Sequence, residues 1–356
     1  MLFEVKDVDR RVYEEKIRGS LPERIIDCHT HVFAKQGGPP PQGPETDERL
    51  VSWPERVADQ NPIADLMETY RLMLPGKTVT PLIFANVRPS DRLYELNGFS
   101  LEEARKAGVP SLLYVHPEWD PETLEEKLEA EGRQGIKVYL NLAPAYIPAG
   151  EIRIFDFLPP AHLEVVDRLG LIVMLHIPRP GRLRDPVNLA QILEIETRYR
   201  NLHLIVAHVG RAYCREDAGK GLDVLGRSER LVFDVSANTN AWVFARALEA
   251  VGPKRLLFGS DLPITRMRMR RVCENGVYVN LVPRGLYGDV SADEHMREVD
   301  ETEAAKLTFF LYEEILAVLA AAREVGLGQA DLDEIFYGNS RRILEAAGYS
   351  FDTDSV

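Results

Sequence analysis

Cysteine is scarce in this chain: three among 356 residues, Cys28, Cys214 and Cys273. Their wide spacing and odd number make neither a disulfide framework nor a cysteine-based zinc cluster. No apolar run approaches the roughly 20 residues that span a bilayer. The start, Met1-Leu2-Phe3-Glu4-Val5-Lys6-Asp7, is charged too early for a secretory signal core. A soluble, cytoplasmic protein with no membrane partner is the expectation. Basic residues are outnumbered, 43 Lys and Arg against 56 Asp and Glu, for a formal net charge of −13. That argues against a nucleic-acid partner, since phosphate binding needs clustered Lys and Arg. No internal repeat and no linker divides the chain, so residues 1–356 read as one domain. With 45% hydrophobic residues, a sizeable core follows.

What the chain has is a series of short apolar runs, each ended by a group that binds metals or moves protons. Ile25-Ile26-Asp27-Cys28-His29-Thr30-His31 is the first. Two histidines two apart on a strand point to the same side, and imidazole is the commonest metal ligand. Leu171 to His176, Leu202 to His208 and Leu256 to Asp261 repeat the pattern. Such runs, separated by helical stretches, suit parallel strands buried on both faces. Functional groups repeated at strand C-termini are what a β/α barrel enzyme shows.

Eight strands are read, at 24–28, 79–84, 111–115, 135–140, 171–176, 202–208, 231–235 and 255–260. With helical connectors they predict an α/β fold, a (β/α)8 TIM barrel over about 24–261. Asp120-Pro121 and Asp185-Pro186 open helices, and Gly170 closes one. A helical extension at 8–18 precedes the barrel. Residues 262–299 have no regular pattern, and helices at 301–323 and 330–347 pack on the barrel as a C-terminal segment. The Pro/Gly stretch 36–44 follows the first strand and is either a lid or a plain solvated loop.

In this order, Asp-x-His-x-His on strand 1, His on strands 5 and 6, and Gly-Ser-Asp-x-Pro after strand 8 resemble the amidohydrolase superfamily. The amidohydrolase-2 group, with its lactonases, hydratases and metal-dependent decarboxylases, is the most similar branch. The tail around Gly338-Asn339-Ser340-Arg341-Arg342 is similar to that group's Gly-Asn-x-x-Arg element. The resemblance covers roughly residues 24–345. It implies a metal held by His29, His31, His176 and Asp261, and a catalytic pair of Asp261 and His208. Asp261 would touch the metal and accept a proton from water; His208 would be the second proton-transfer group or stabilise an oxyanion. Three nitrogens and one carboxylate suit Zn²⁺ with an open position, where the pKa of water falls toward 7. One zinc per chain is expected, with Mn²⁺ or another divalent ion as the alternative. Asp27 either orients a ligand histidine or caps the strand end.

The remaining assignments carry two readings each. Lys137 ends strand 4, where binuclear relatives carry a carboxylated lysine; a lysine near substrate beside one metal is preferred, and a buried structural ion pair is the bland reading. Arg88, Arg179 and Arg211 follow strands 2, 5 and 6 and would suit a small anionic substrate; loop arginines paired with local acids are the alternative. His116 is either substrate-facing or structural. His162, His203 and His295 read as ordinary surface or helix residues. The run Arg266-Met267-Arg268-Met269-Arg270-Arg271 places charge at the rim of the site or binds a neighbouring subunit, consistent with a homo-oligomer. The preferred activity is hydrolysis of an ester, lactone or amide by metal-activated water. Non-oxidative decarboxylation or hydration of a small carboxylic acid uses the same residues, and a non-catalytic binding protein is the reading of another class.

Overall fold

The computed structural model describes residues 2–35, 49, 53–86 and 92–351. Arg88 and the 36–44 stretch lie outside the described residues. Eight strands follow the expected order: β1 (Arg24–Val32), β2 (Thr78–Ala85), β3 (Leu112–Tyr114), β4 (Gly135–Val138), β5 (Ile172–Leu175), β6 (His203–Val206), β7 (Val232–Asp234) and β8 (Leu256–Leu257). β1 and β2 pair in parallel, and β3 to β8 form a parallel sheet in sequence order. Two bridges close the ring. Ile83 meets Ser111 between β2 and β3, and Thr30 meets Leu262 between β1 and the chain leaving β8. The amide of Cys28 donates to Phe258 O at 3.0 Å, and that of Asp261 to His29 O at 2.8 Å. The (β/α)8 barrel is therefore complete.

The pleat explains the two apolar layers. Ile26, Cys28, Leu82, Phe84, Ile172, Met174 and Ile205 point inward and fill the barrel, while Ile25, Ile83, Val173, Leu175 and Leu204 pack against the surrounding helices. Leu344, from the C-terminal helix Asn339–Ala346, and Ala347, just after it, join the inner layer. The predicted caps are present: Asp120 accepts from the Thr123 amide, Asp185 accepts from those of Val187 and Asn188, and Gly170 takes the left-handed conformation.

Residues 262–299, expected to be irregular, contain three strands. β9 (Arg268–Glu274) and β10 (Val277–Pro283) form an antiparallel hairpin, and β11 (Met296–Val299) runs parallel to β10. β12 (Thr308–Phe309) pairs with the start of β9. The methionines explain why: Met267, Met269 and Met296 are buried in a satellite core with Trp53, Ile264, Tyr278 and Phe310. The Arg/Met run is thus used within the chain. Arg268 is buried in an ion pair with Asp9, Nη1 and Nη2 lying 2.9 and 2.6 Å from the carboxylate, which ties the hairpin to the N-terminal helix Asp7–Val12.

The cysteine reading needs correction. Cys214 and Cys273 form a disulfide between the segment after β6 and the hairpin, and only Cys28 is free and buried. A separation of 59 residues carries no signature of pairing. Among the described residues no helix is long and apolar enough to cross a membrane.

Candidate active site

The site lies at the C-terminal ends of the barrel strands. A β-bulge in β1, between Asp27 and Thr30, shifts the pleat so that both Cys28 and His29 turn inward, with His31 following. Asp27 is thereby left on the outer side. It accepts from the Tyr70 hydroxyl at 2.8 Å, the Ser260 amide at 2.8 Å and the His29 amide at 3.2 Å. It clasps β1 to β8 and touches no imidazole. Burial raises its pKa to about 7 against those hydrogen bonds. Gly259 is required for this closeness, because a Cβ there would meet His29 Cβ at 2.8 Å. Asp261 and His208 both have positive φ, +60° and +58°. Such strained backbone on non-glycine residues persists where the surroundings enforce it, commonly at functional sites.

His29, His31 and Asp261 converge, with donor atoms within 4.8 Å of one another. His31 Nε2 lies 3.2 Å, and His29 Nε2 3.6 Å, from Asp261 Oδ1. Their far nitrogens are occupied. His31 Nδ1 donates to Ala85 O at 3.0 Å, and His29 Nδ1 donates to Asp234 Oδ2 at 2.9 Å. Those partners set the tautomers and turn each Nε2, the nitrogen without a proton, toward the pocket, where that of His29 also meets Lys137 Nζ at 3.2 Å. His208 is arranged in the same way: Nδ1 lies 2.8 Å from Ser236 O, and its backbone amide donates to Asp234 Oδ1 at 2.8 Å.

Asp234, at the end of β7, joins His29, His208 and Ser236, yet sequence reasoning passed over it. The signal was present, since Leu231-Val232-Phe233-Asp234 is also an apolar strand ended by an acid. Burial opposes its ionisation, but the His29 imidazole beside it keeps its pKa below the usual carboxylate range. Asp261 likewise stays near 2 against burial, through its hydrogen bond to His31 and the imidazoles of His29 and His208. Burial drives the imidazoles the other way, His29 to about 3 and His176 and His208 also downward. The site therefore pairs ionised carboxylates with neutral imidazoles, the protonation states that cation binding needs.

His176 lines the same pocket but lies outside the tight His29–His31–Asp261 cluster. Its ring is 4.3 Å from that of Tyr139 and 5.3 Å from that of His208, centroid to centroid, and its buried Nδ1 has no hydrogen-bond partner. A buried imidazole with an orphaned nitrogen, in a pocket shared with His29, His31 and Asp261, fits a metal centre. Lys137 is buried with Nζ 3.2 Å from His29 Nε2. Burial lowers its pKa to about 8.

The expected substrate residues fare differently. Arg179 lies 3.1 Å from Asp185 and 3.3 Å from Glu151, the local-acid reading. Arg211 donates from Nη1 to the carbonyls of Ile177 and Pro178, and lines an outer crevice that shares His176, Tyr139 and Tyr278 with the pocket. His116 accepts from the Glu118 amide at 3.2 Å and does not line the pocket. His162 is buried rather than at the surface, its Nε2 2.7 Å from Trp119 O. His295 stacks on Tyr278 at 4.0 Å, behind the pocket wall. The arginine that does line the pocket is Arg271, from the hairpin.

A barrel with these strand-end donors defines a metal-site enzyme class, and the comparisons place the chain within it. The family model described as Amidohydrolase (Amidohydro_2) matches residues 26–346. The chain belongs to this family and is an enzyme of the amidohydrolase type. A search of curated proteins finds none that matches. Solved structures share the fold. An amidohydrolase from Burkholderia multivorans with bound HEPES aligns with a TM-score of 0.55 and 15% identity, covering 90% of this chain and 99% of that one. A 4-oxalomesaconate hydratase from Rhodopseudomonas palustris aligns at 0.53 and 15%, covering 90% and 96%. A dihydroxybenzoic acid decarboxylase from Polaromonas sp., with bound manganese and 2-nitroresorcinol, aligns at 0.52 and 16%, covering 91% and 97%.

Proposed function

We propose that this chain is a metal-dependent hydrolase in which an activated water attacks the carbonyl of a small anionic ester, lactone or amide. The observation that carries the reading is the convergence of His29, His31 and Asp261, with each Nδ1 held by Asp234 or Ala85 so that both Nε2 atoms turn to the site. His29, His31, His176 and Asp261 would hold one divalent cation; zinc is preferred. The Burkholderia amidohydrolase has also been solved with zinc, and the Polaromonas decarboxylase holds manganese. When bound, such an ion supplies Lewis acidity that makes water acidic near neutral pH.

The chain's own residues do the rest. Asp261, ionised at neutral pH, accepts the proton of the attacking water. His208, held by Ser236 and Asp234, presents Nε2 to the pocket and steadies the oxygen on which charge develops. Asp234 fixes the His29 ring. Lys137, against His29, lies at the substrate side of the site. Phe84, Tyr139, Ile264 and Phe310 lower water access around it.

A second reading, decarboxylation or hydration of a small carboxylic acid, is favoured by one observation: neighbours of this fold include a decarboxylase and a hydratase. Product analysis separates the two, since released CO₂ from a carboxylic acid panel, with no turnover of lactones or esters, would replace hydrolysis. The proposal includes a cytoplasmic location and self-association, both expectations from sequence. Fractionation of cells and sedimentation of the purified chain test these two points.

A further inference from the structure

The hairpin after the barrel brings one guanidinium into the pocket without an acid to balance it. Arg271 on β9 donates from Nε to Asn280 Oδ1 at 2.8 Å, its cross-strand partner on β10, and from Nη1 to Ala237 O at 2.7 Å. Its Nη2 has no hydrogen-bond partner, and no carboxylate lies within 4.0 Å of it, among the described residues. The guanidinium sits 4.6 Å from the ring centres of Tyr278 and Phe310 and 4.9 Å from that of Tyr213. The hydroxyls of Tyr213 and Tyr278 also have no hydrogen-bond partner among the described residues.

Neighbouring charges do not neutralise this group. Arg182, 5.2 and 5.1 Å from the ring centres of Tyr213 and Tyr278, is already paired with Asp217 at 2.7 Å. Glu314 is buried and makes no ion pair with Arg271, and burial raises its pKa well above the usual carboxylate range. A partly desolvated, unpaired guanidinium is costly, and an incoming carboxylate removes that cost with paired, charge-assisted hydrogen bonds. Trp53, Tyr139, Tyr278 and Phe310 supply flat apolar walls between Arg271 and the histidines.

We propose that Arg271, with the hydroxyls of Tyr213 and Tyr278, is the subsite for a substrate carboxylate. The substrate then lies with its carboxylate on Arg271 and its reacting carbon toward His29, His31 and Asp261. This rests on the functional reading above, and it names a residue on the hairpin rather than at a strand end. The bland role, a brace between hairpin and barrel, uses Nε, Nη1 and the three rings and leaves Nη2 unused.

The test is calorimetric binding of isophthalate and the neutral isophthalamide to the full chain, as purified and after chelation, with metal content measured on the same samples. Wild type binds isophthalate at least tenfold tighter than isophthalamide, and Arg271→Gln loses about 10- to 100-fold of the isophthalate affinity alone. Arg271→Lys, which keeps charge without the planar fork, falls between them. The Arg271-dependent part survives chelation. If Arg271→Gln does not fold, wild-type discrimination and the Arg271→Lys loss decide. Equal binding of the two probes by wild type, no binding at millimolar concentration, or an unchanged variant overturns the subsite. Absence of metal and of turnover, with the isophthalate preference intact, overturns the functional reading instead.

Discussion

The Nδ1 of His29 lies 2.9 Å from the Asp234 carboxylate, and both side chains are essentially solvent-free. This contact fixes which histidine nitrogen faces the pocket. Asp234→Asn keeps the shape and removes the charge. Metal affinity falls about 10- to 100-fold, as for other partners behind ligating histidines, read by competition against a chromogenic chelator. Unchanged affinity would show that the carboxylate does not tune the site.

His176 and His208 share a pocket wall but are assigned different work. His176→Ala loses both metal and activity. His208→Ala loses activity by about 100-fold or more, the scale of a lost acid–base group, and keeps its metal. Metal analysis of the two purified variants checks this. Stoichiometric metal loss in His208→Ala would reverse the assignment, as would a His176→Ala protein that keeps full metal.

The Arg268–Asp9 pair is buried and reinforced by the Thr308 hydroxyl, 2.6 Å from Asp9 Oδ1. Removing one partner strands a buried charge. Asp9→Ala destabilises the fold by about 3–5 kcal/mol, read as a lowered denaturant midpoint. The double variant Asp9→Ala/Arg268→Met recovers part of that loss. A single variant of wild-type stability would show that the clasp contributes nothing.

Glu314 gives a pH signature. Its pKa is raised by burial in the folded state above the ordinary 4.5. Between those two values the folded chain holds a proton that the unfolded chain has released, so stability falls as pH rises from about 4.5 toward the folded-state value. Glu314→Gln removes this fall. Its stability curve from pH 5 to 8 is flatter than that of wild type, and its advantage grows with pH. A parallel pair of curves would show that Glu314 does not titrate in this way.

Much of the barrel was legible because each strand is a short apolar run with its functional group at the C-terminal end. β1, β5, β6 and β8 announced themselves in this manner. The hairpin was not legible because its core is methionine alternating with arginine, and the burial of Arg268 depends on Asp9, 259 positions away. Arg271 was noticed only as part of that run, whereas Arg179, conspicuous after β5, is neutralised by Asp185 six residues on. Asp234 was readable by the same rule that found Asp261, but no second feature of the sequence singled it out. The disulfide joins cysteines that only the packed hairpin brings together.

The most direct test of the account is metal content by mass spectrometry on protein purified without added metal, followed by reconstitution. The account predicts about one divalent ion per chain, lost in His29→Ala. Two per chain would recast Lys137 as part of a binuclear centre. None, with none taken up on reconstitution, would contradict the metal-activated water and leave His29, His31 and Asp261 without the role assigned to them.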